Sequence, residues 1–425
     1  MAANPNLCMR ETIMSTAQPQ RSGQFSDLLH IDAQGRPRVL PNVHHLADLL
    51  EMDAEQVLER FKRDQVEDFR KVVAELKDPD NPLYTQFAEL RRIAESDGDN
   101  PFLRTALFDP QALETMFLDL HEHVMAHPVW RHPFFVRVFN GQITQPQLTQ
   151  FALNYFNQVK NTRQCVALAL GRFSGVMAMP YGQLNERVSE LTQIVLAQLV
   201  ADEYGVGSHA VEDYPTLGGL FGSHTHIVMY RQLFEGLGVP FAEQDVPMLH
   251  GVADNVLIQR LVAGDERFST LEALASVGLG MEWGVPEFFT LLLGGMIRFG
   301  WQNDVPLTRE QLLVFVAHVQ YDVLHAISVM LVTSFYARDE QALESIKQAT
   351  NMLMSGRYGM MTELYRHVFA EECPSLHEIG LAPHYHIRDR RIEEALRQAR
   401  AKVADGRVVD AEAYRHKAEL PFVFG

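Results

Sequence analysis

The chain is poor in cysteine, short of positive charge and nearly free of strand-like alternation. Only three cysteines occur in 425 residues, Cys8, Cys165 and Cys373, with no C-x2-C pairing. That pattern excludes a zinc ribbon or a thiolate-held iron–sulfur cluster and suits a reducing compartment. Acidic residues outnumber basic ones 54 to 37, a net charge of −17, so the basic footprint that nucleic acid demands is missing. No run approaches the ~18 uninterrupted apolar residues of a membrane span. The first residues, MAANPNLCMRETIMSTAQPQRSGQ, carry no apolar signal-peptide core. The expectation is a cytoplasmic protein with no membrane and no nucleic-acid partner, handling small molecules.

What is present is helical periodicity on an ordinary globular composition, 47% apolar and 21% charged. Residues 1–38 read as a flexible N-terminal arm. Residues 39–110 read as a helical extension, with i,i+4 opposite charges along HHLADLLEMDAEQVLERFKRDQVEDFRKVVAELK. DPDNPLY and SDGDNPF read as turn clusters. A body of about seven core helices is expected over 111–370, with spans near 111–126, 144–173, 182–205, 224–237, 246–262, 269–299 and 308–336 and a further helix at LESIKQATNMLMSGRYGMMTELYRHVF. Residues 371–425 form a tail whose HIRDRRIEEALRQARAK stretch reads as a basic amphipathic helix, its charge a solvated face. The fold class is all-α.

The most informative pattern is H-x3-D-x2-H in LLVFVAHVQYDVLHAISVMLV. At about 100° per residue, offsets of four and seven bring His318, Asp322 and His325 within about 60° of one another on one helix face. Their neighbours are almost all apolar, so three ionisable groups there need compensation. A metal ion supplies it, because imidazole and carboxylate donors together suit iron, manganese or zinc. A buried His–Asp pair with a second histidine nearby is the bland alternative. Further ligands must come from facing helices. Glu282 is the only carboxylate between Glu272 and Glu287 in an apolar stretch. Glu203 ends LTQIVLAQLVADE, where the helix dipole disfavours a carboxylate. His226 opens HIVMYRQLFEGLGV, with His224 and His209 as competitors that spacing alone does not separate.

In order, E-Y-G-x-G, H-x11-G, a mid-chain Glu and H-x3-D-x2-H resemble the haem-oxygenase-like diiron oxidase/oxygenase superfamily. HPVWRHPFFVRVFNGQITQPQLTQF is similar to that family's early segment. The resemblance covers roughly residues 111–370 and implies a seven-helix, haem-oxygenase-like bundle without haem. It implies two Fe(II) per chain, held by Glu203, His226, Glu282, His318, Asp322 and His325, with Glu203, Glu282 and Asp322 as the catalytic carboxylates. It further implies O2-dependent oxidation of a small amino-acid-like or carboxylic-acid substrate in specialised-metabolite biosynthesis, with room for an external electron donor and a homodimer. The loop between Glu203 and His226 is longer than the family's by the segment AVEDYPTLGGLFG. Some N-oxygenating members use an extra upstream glutamate; Glu186 and Glu190 lie at offsets that point elsewhere.

Three rivals share parts of the pattern. A pyrroloquinoline-quinone-synthase-like oxidase needs no metal, a thiaminase-like hydrolase needs a nucleophilic cysteine such as Cys165, and a helical binding protein would keep these residues as a satisfied polar core. Lys160, Arg163 and Arg172 are candidate anchors for a substrate carboxylate, and Tyr155, Tyr204 and Tyr321 candidate hydrogen-bond partners of the ligands.

Overall fold

A computed structural model describes residues 29–31, 37–39, 51–96, 108–173, 183–205, 225–241, 249–305, 307, 309–380 and 389–404. The expected all-α body is what folds. The β structure among the described residues is one antiparallel pairing of Leu29–Ile31 with Pro37–Val39, in register Leu29 to Val39. It falls at the end of the expected arm, whose first 28 residues lie outside the described ones.

Helix α1 (Ala54–Glu75) starts on a reciprocal capping box: Gln56 N donates to the Asp53 side chain, and Asp53 N donates to the Gln56 side chain. Helix α2 (Pro82–Glu95) begins inside the DPDNPLY cluster, which the sequence marks as a turn. There Asn81 caps the helix and Pro82 occupies its first turn, so the turn residues are also a helix start. Then come α3 (Pro110–Met125), a single 3-10 turn at Pro128–Arg131, α4 (Pro133–Phe139) and the long α5 (Gln145–Gly171). They are followed by α6 (Gln183–Glu203), α7 (His226–Gly236) and α8 (His250–Gly264).

The stretch expected as one helix over 269–299 is three pieces. Helix α9 (Thr270–Ala275) runs into a π-helix at Ser276–Glu282, and α10 (Val285–Gln302) follows after Gly284. Trp283 N donates to Gly278 O at 2.9 Å, a bond five residues back instead of four. The π segment is wholly buried, packed between α11 (Arg309–Ser334) and α12 (Glu340–Phe369). A Cβ at Gly278 would lie 2.5 Å from Val329 Cγ1, so only glycine allows this approach.

Helices α5, α8 and α12 pack together on one side, and α11 contacts α6, α7, α10 and the π segment on the other. Helix α1 belongs to the same core. Phe69 stacks on Phe117 at 3.6 Å, Phe117 meets the edge of Trp283 at 5.0 Å, and buried Gln65 donates to Trp283 O at 3.0 Å. The basic C-terminal helix α13 (Arg390–Ala404) buries Ile392 and Ala395. Its Arg391 bridges Glu272 and Asp389, while Arg397 stays solvated. No helix among the described residues is long and apolar enough to cross a membrane.

Candidate metal centre

Five of the six expected residues converge from four elements. Glu203 is the last residue of α6, His226 the first of α7, Glu282 the last of the π segment, and His318 and His325 lie on α11. Ligand-capable atoms of Glu203, His226 and His318 all lie within 4.8 Å of one another. His226 Nδ1 is 3.1 Å from Glu203 Oε2, and the His226 and His318 ring centres are 4.4 Å apart. Of the three histidines weighed for the second position, His226 is the one among the described residues, and it lies in the cluster. His209 and His224 lie outside the described residues. Asp322 is within α11, but its side chain, like that of Tyr321, is outside the described set.

Next to the cluster, His325 Nδ1 is 3.9 Å from Glu282 Oε2. The other ring nitrogen of His325, Nε2, lies 2.9 Å from Asp202 Oδ2. Gln198 Nε2 in turn donates to Asp202 Oδ1 at 2.9 Å. A ring nitrogen that gives its proton to a carboxylate leaves the opposite nitrogen with its lone pair, here Nδ1 on the Glu282 side. His318 is fixed in the opposite sense. Its Nδ1 bonds to the Val314 carbonyl one turn earlier, and the ring stacks on Phe289 at 4.3 Å and 12°. That leaves Nε2 as its donor atom.

Glu203 combines two opposed effects. Burial alone would raise its pKa, but the imidazoles of His226, His318 and His325 outweigh it and hold the carboxyl below the usual glutamate value. It therefore stands as a carboxylate at neutral pH, where the α6 dipole by itself would disfavour one. The donor set is two nitrogens and one oxygen, with Glu282 and His325 adjacent and no thiolate. That chemistry fits iron, manganese or zinc.

The cluster opens onto a cavity whose walls include Val285, Phe289, Val314 and Tyr155. Among the described residues the cation lining that cavity is Arg357 of α12, not one of the three expected on α5. Lys160 sits over Phe156, Arg163 over Tyr204, and Arg172 donates to the Phe268 carbonyl. Each is drawn to an aromatic face or a carbonyl. Tyr155 does line the cavity, whereas Tyr204 is exposed. Glu190 is exposed and paired with Arg187, as its off-face offset predicts. Cys165 is fully buried, with its thiol pushed up to about 12 by burial and an Asn161 amide 3.2 Å from the sulfur. Such a thiol is a packing group, not a nucleophile.

Asp202 and Arg357 are the residues that pattern reading missed. Asp202 stands beside Glu203 at a helix end where surface carboxylates are common, and its partner is 123 positions away. Arg357 had one available signal: it is the only charged residue in NMLMSGRYGMM.

Fold and site together define an all-α bundle with a largely buried carboxylate–histidine cluster that could hold a metal ion. No family model matches the sequence, and no curated protein matches it.

Proposed function

We propose that the chain is a haem-oxygenase-like, non-haem diiron oxidoreductase that uses O2 to oxidise a small amino-acid-like or carboxylic-acid substrate. The observation that carries this reading is the convergence of Glu203, His226 and His318 within 4.8 Å, with the Glu282–His325 pair beside them. Iron bound there would reduce O2 and oxidise the substrate lying next to it.

The chain's own residues would prepare that chemistry. Glu203, ionised in its buried position, offsets cationic charge, and Glu282 does the same from the π segment. The Val314 carbonyl and the Phe289 ring set His318's orientation, and Asp202 sets His325's. Val285, Phe289 and Val314 keep the adjacent space apolar and limit water around the reacting groups.

One observation favours a narrower version. Glu203, His226 and His318 by themselves are a two-histidine, one-carboxylate set, which suits a single Fe(II). In that version Glu282, His325 and Asp202 support the ion without binding a second.

Anaerobic loading with Fe(II), followed by elemental analysis of the desalted protein, separates the two. About two irons per chain supports the diiron reading, and about one supports the narrower version. His318→Ala should lose most of the iron. No uptake, or uptake unchanged in His318→Ala, would sink both. A metal-independent oxidase or a binding protein would give that result.

A further inference from the structure

We propose that Arg357 is the anchor for a carboxylate of the substrate, holding it in the cavity that Glu203, His226 and His318 line. The inference deepens the reading above, because it takes that cavity to be the place where substrate binds.

Arg357 is buried, 6% exposed, and lines the same cavity as the three cluster residues. Its Nη1 has no hydrogen-bond partner among the described residues. The guanidinium lies over the Phe288 ring, 5.0 Å from its centre, and the Glu282 carboxylate acts on it through space. Burial lowers its pKa from the ordinary arginine value, yet a guanidinium keeps its proton in proteins. A buried cation with unmet donors is costly, and an aromatic face meets only part of its need. A ligand that brings two acceptor oxygens in one plane meets the rest, and a carboxylate has that geometry.

The local sequence makes the placement possible. Arg357 follows Gly356, where a Cβ would lie 3.0 Å from both Asn255 Oδ1 and Ile258 Cδ1 of α8. Glycine lets α12 close on α8 and carries Arg357 inward instead of to the surface. Tyr155 lines the same space and makes no hydrogen bond to a described residue, so its hydroxyl is a second donor available to the same anion. With the carboxylate at Arg357, the remainder of a small substrate would meet Val285, Phe289 and Val314 beside the histidines.

The test titrates the full-length chain by calorimetry with butyrate, L-2-aminobutyrate and butylamine, before and after anaerobic Fe(II) loading. Saturable binding of at least one carboxylate, without binding of butylamine, is expected in both states. Comparison of the two acids shows whether an amine belongs to the ligand. Arg357→Met should weaken carboxylate binding by about tenfold or more, and Arg357→Lys should fall between, since a point charge replaces a planar fork. The Met variant removes a buried charge that Glu282 partly offsets, so its melting temperature is measured beside binding to show that it folds. If Arg357→Met does not fold, Arg357→Lys carries the comparison. Absence of saturable carboxylate binding by the wild-type chain, or equal binding by the variants, overturns the proposal. Arg357-dependent binding without iron uptake would overturn the metal reading alone. Iron uptake with Arg357-independent binding would overturn this one alone.

Discussion

Among single residues, Asp202 does the least obvious work. It holds His325 Nε2 at 2.9 Å and is itself held by Gln198. Carboxylates that orient a ligating imidazole are worth roughly 10–100-fold in metal affinity. Asp202→Ala should weaken Fe(II) binding by that order, measured by competition with a chromophoric chelator, while leaving the melting temperature nearly unchanged. Glu190→Ala, at an exposed residue paired with Arg187, is the control and should change neither. The sequence shows the residues whose role is set by spacing on one helix. His318 and His325 are legible because a 3.6-residue period puts them on one face. Asp202 and Arg357 are not legible, since their roles depend on contacts across 123 positions or on the lack of one. His226 lies between: its residue type pointed to a ligand, and the fold brings it to Glu203 and His318, while its competitors His209 and His224 lie outside the described residues.

Most helices are readable as elements, because amphipathic periodicity, capping boxes and proline starts agree. The spans near 144–173 and 308–336 fold as Gln145–Gly171 and Arg309–Ser334. The break at 276–282 is not readable, because SVGLGME has the same apolar character whether its bonds run four residues back or five. That segment ends on Glu282 and is wedged against α11 at Gly278. Gly278→Ala would place a methyl group 2.5 Å from Val329 Cγ1. Overpacking of this kind costs about 1–3 kcal/mol. A chemical-denaturation midpoint should fall accordingly, and iron uptake with it if Glu282 or His325 is displaced. A shift below about 0.5 kcal/mol would mean that the two elements separate easily, contrary to the tight packing here.

Across the whole molecule, acid is expected to be the destabilising condition. His121 and His132 are buried, and burial lowers their pKa values from 6.5 to about 4 and about 3. Both serve as neutral rings. His121 Nδ1 accepts from Trp283 Nε1 at 3.1 Å while its Nε2 bonds to Lys62 O, and His132 Nδ1 accepts from Phe134 N at 3.1 Å. The unfolded chain takes up these protons near pH 6.5, and the folded chain only near 4 and 3. Their contribution is therefore complete above pH 6.5 and is lost progressively as the pH falls toward those lower values. At about 1.4 kcal/mol per pH unit for each group, the loss by pH 5 is on the order of a few kcal/mol. Melting temperatures at pH 7.5, 6 and 5 should show a steep decline. His132→Asn keeps a capping acceptor but cannot titrate, so it should flatten that slope. An unchanged slope would count against His132 as a source.

Trp283 gives the N-terminal helix a hold on the centre. Gln65 of α1 grips its carbonyl, His121 of α3 grips its indole, and the next residue back is Glu282. The π segment before it contains one residue more than an α-helical turn of the same bonding would need. Each residue of helix turns the chain by about 100°, so that single surplus residue decides which way Glu282 faces. The centre is thus specified by chain length as much as by residue type. Two relatives with the same glutamate, one a residue shorter between Ser276 and Trp283, would present it to different neighbours, and a gap in that stretch of an alignment would matter more than several substitutions.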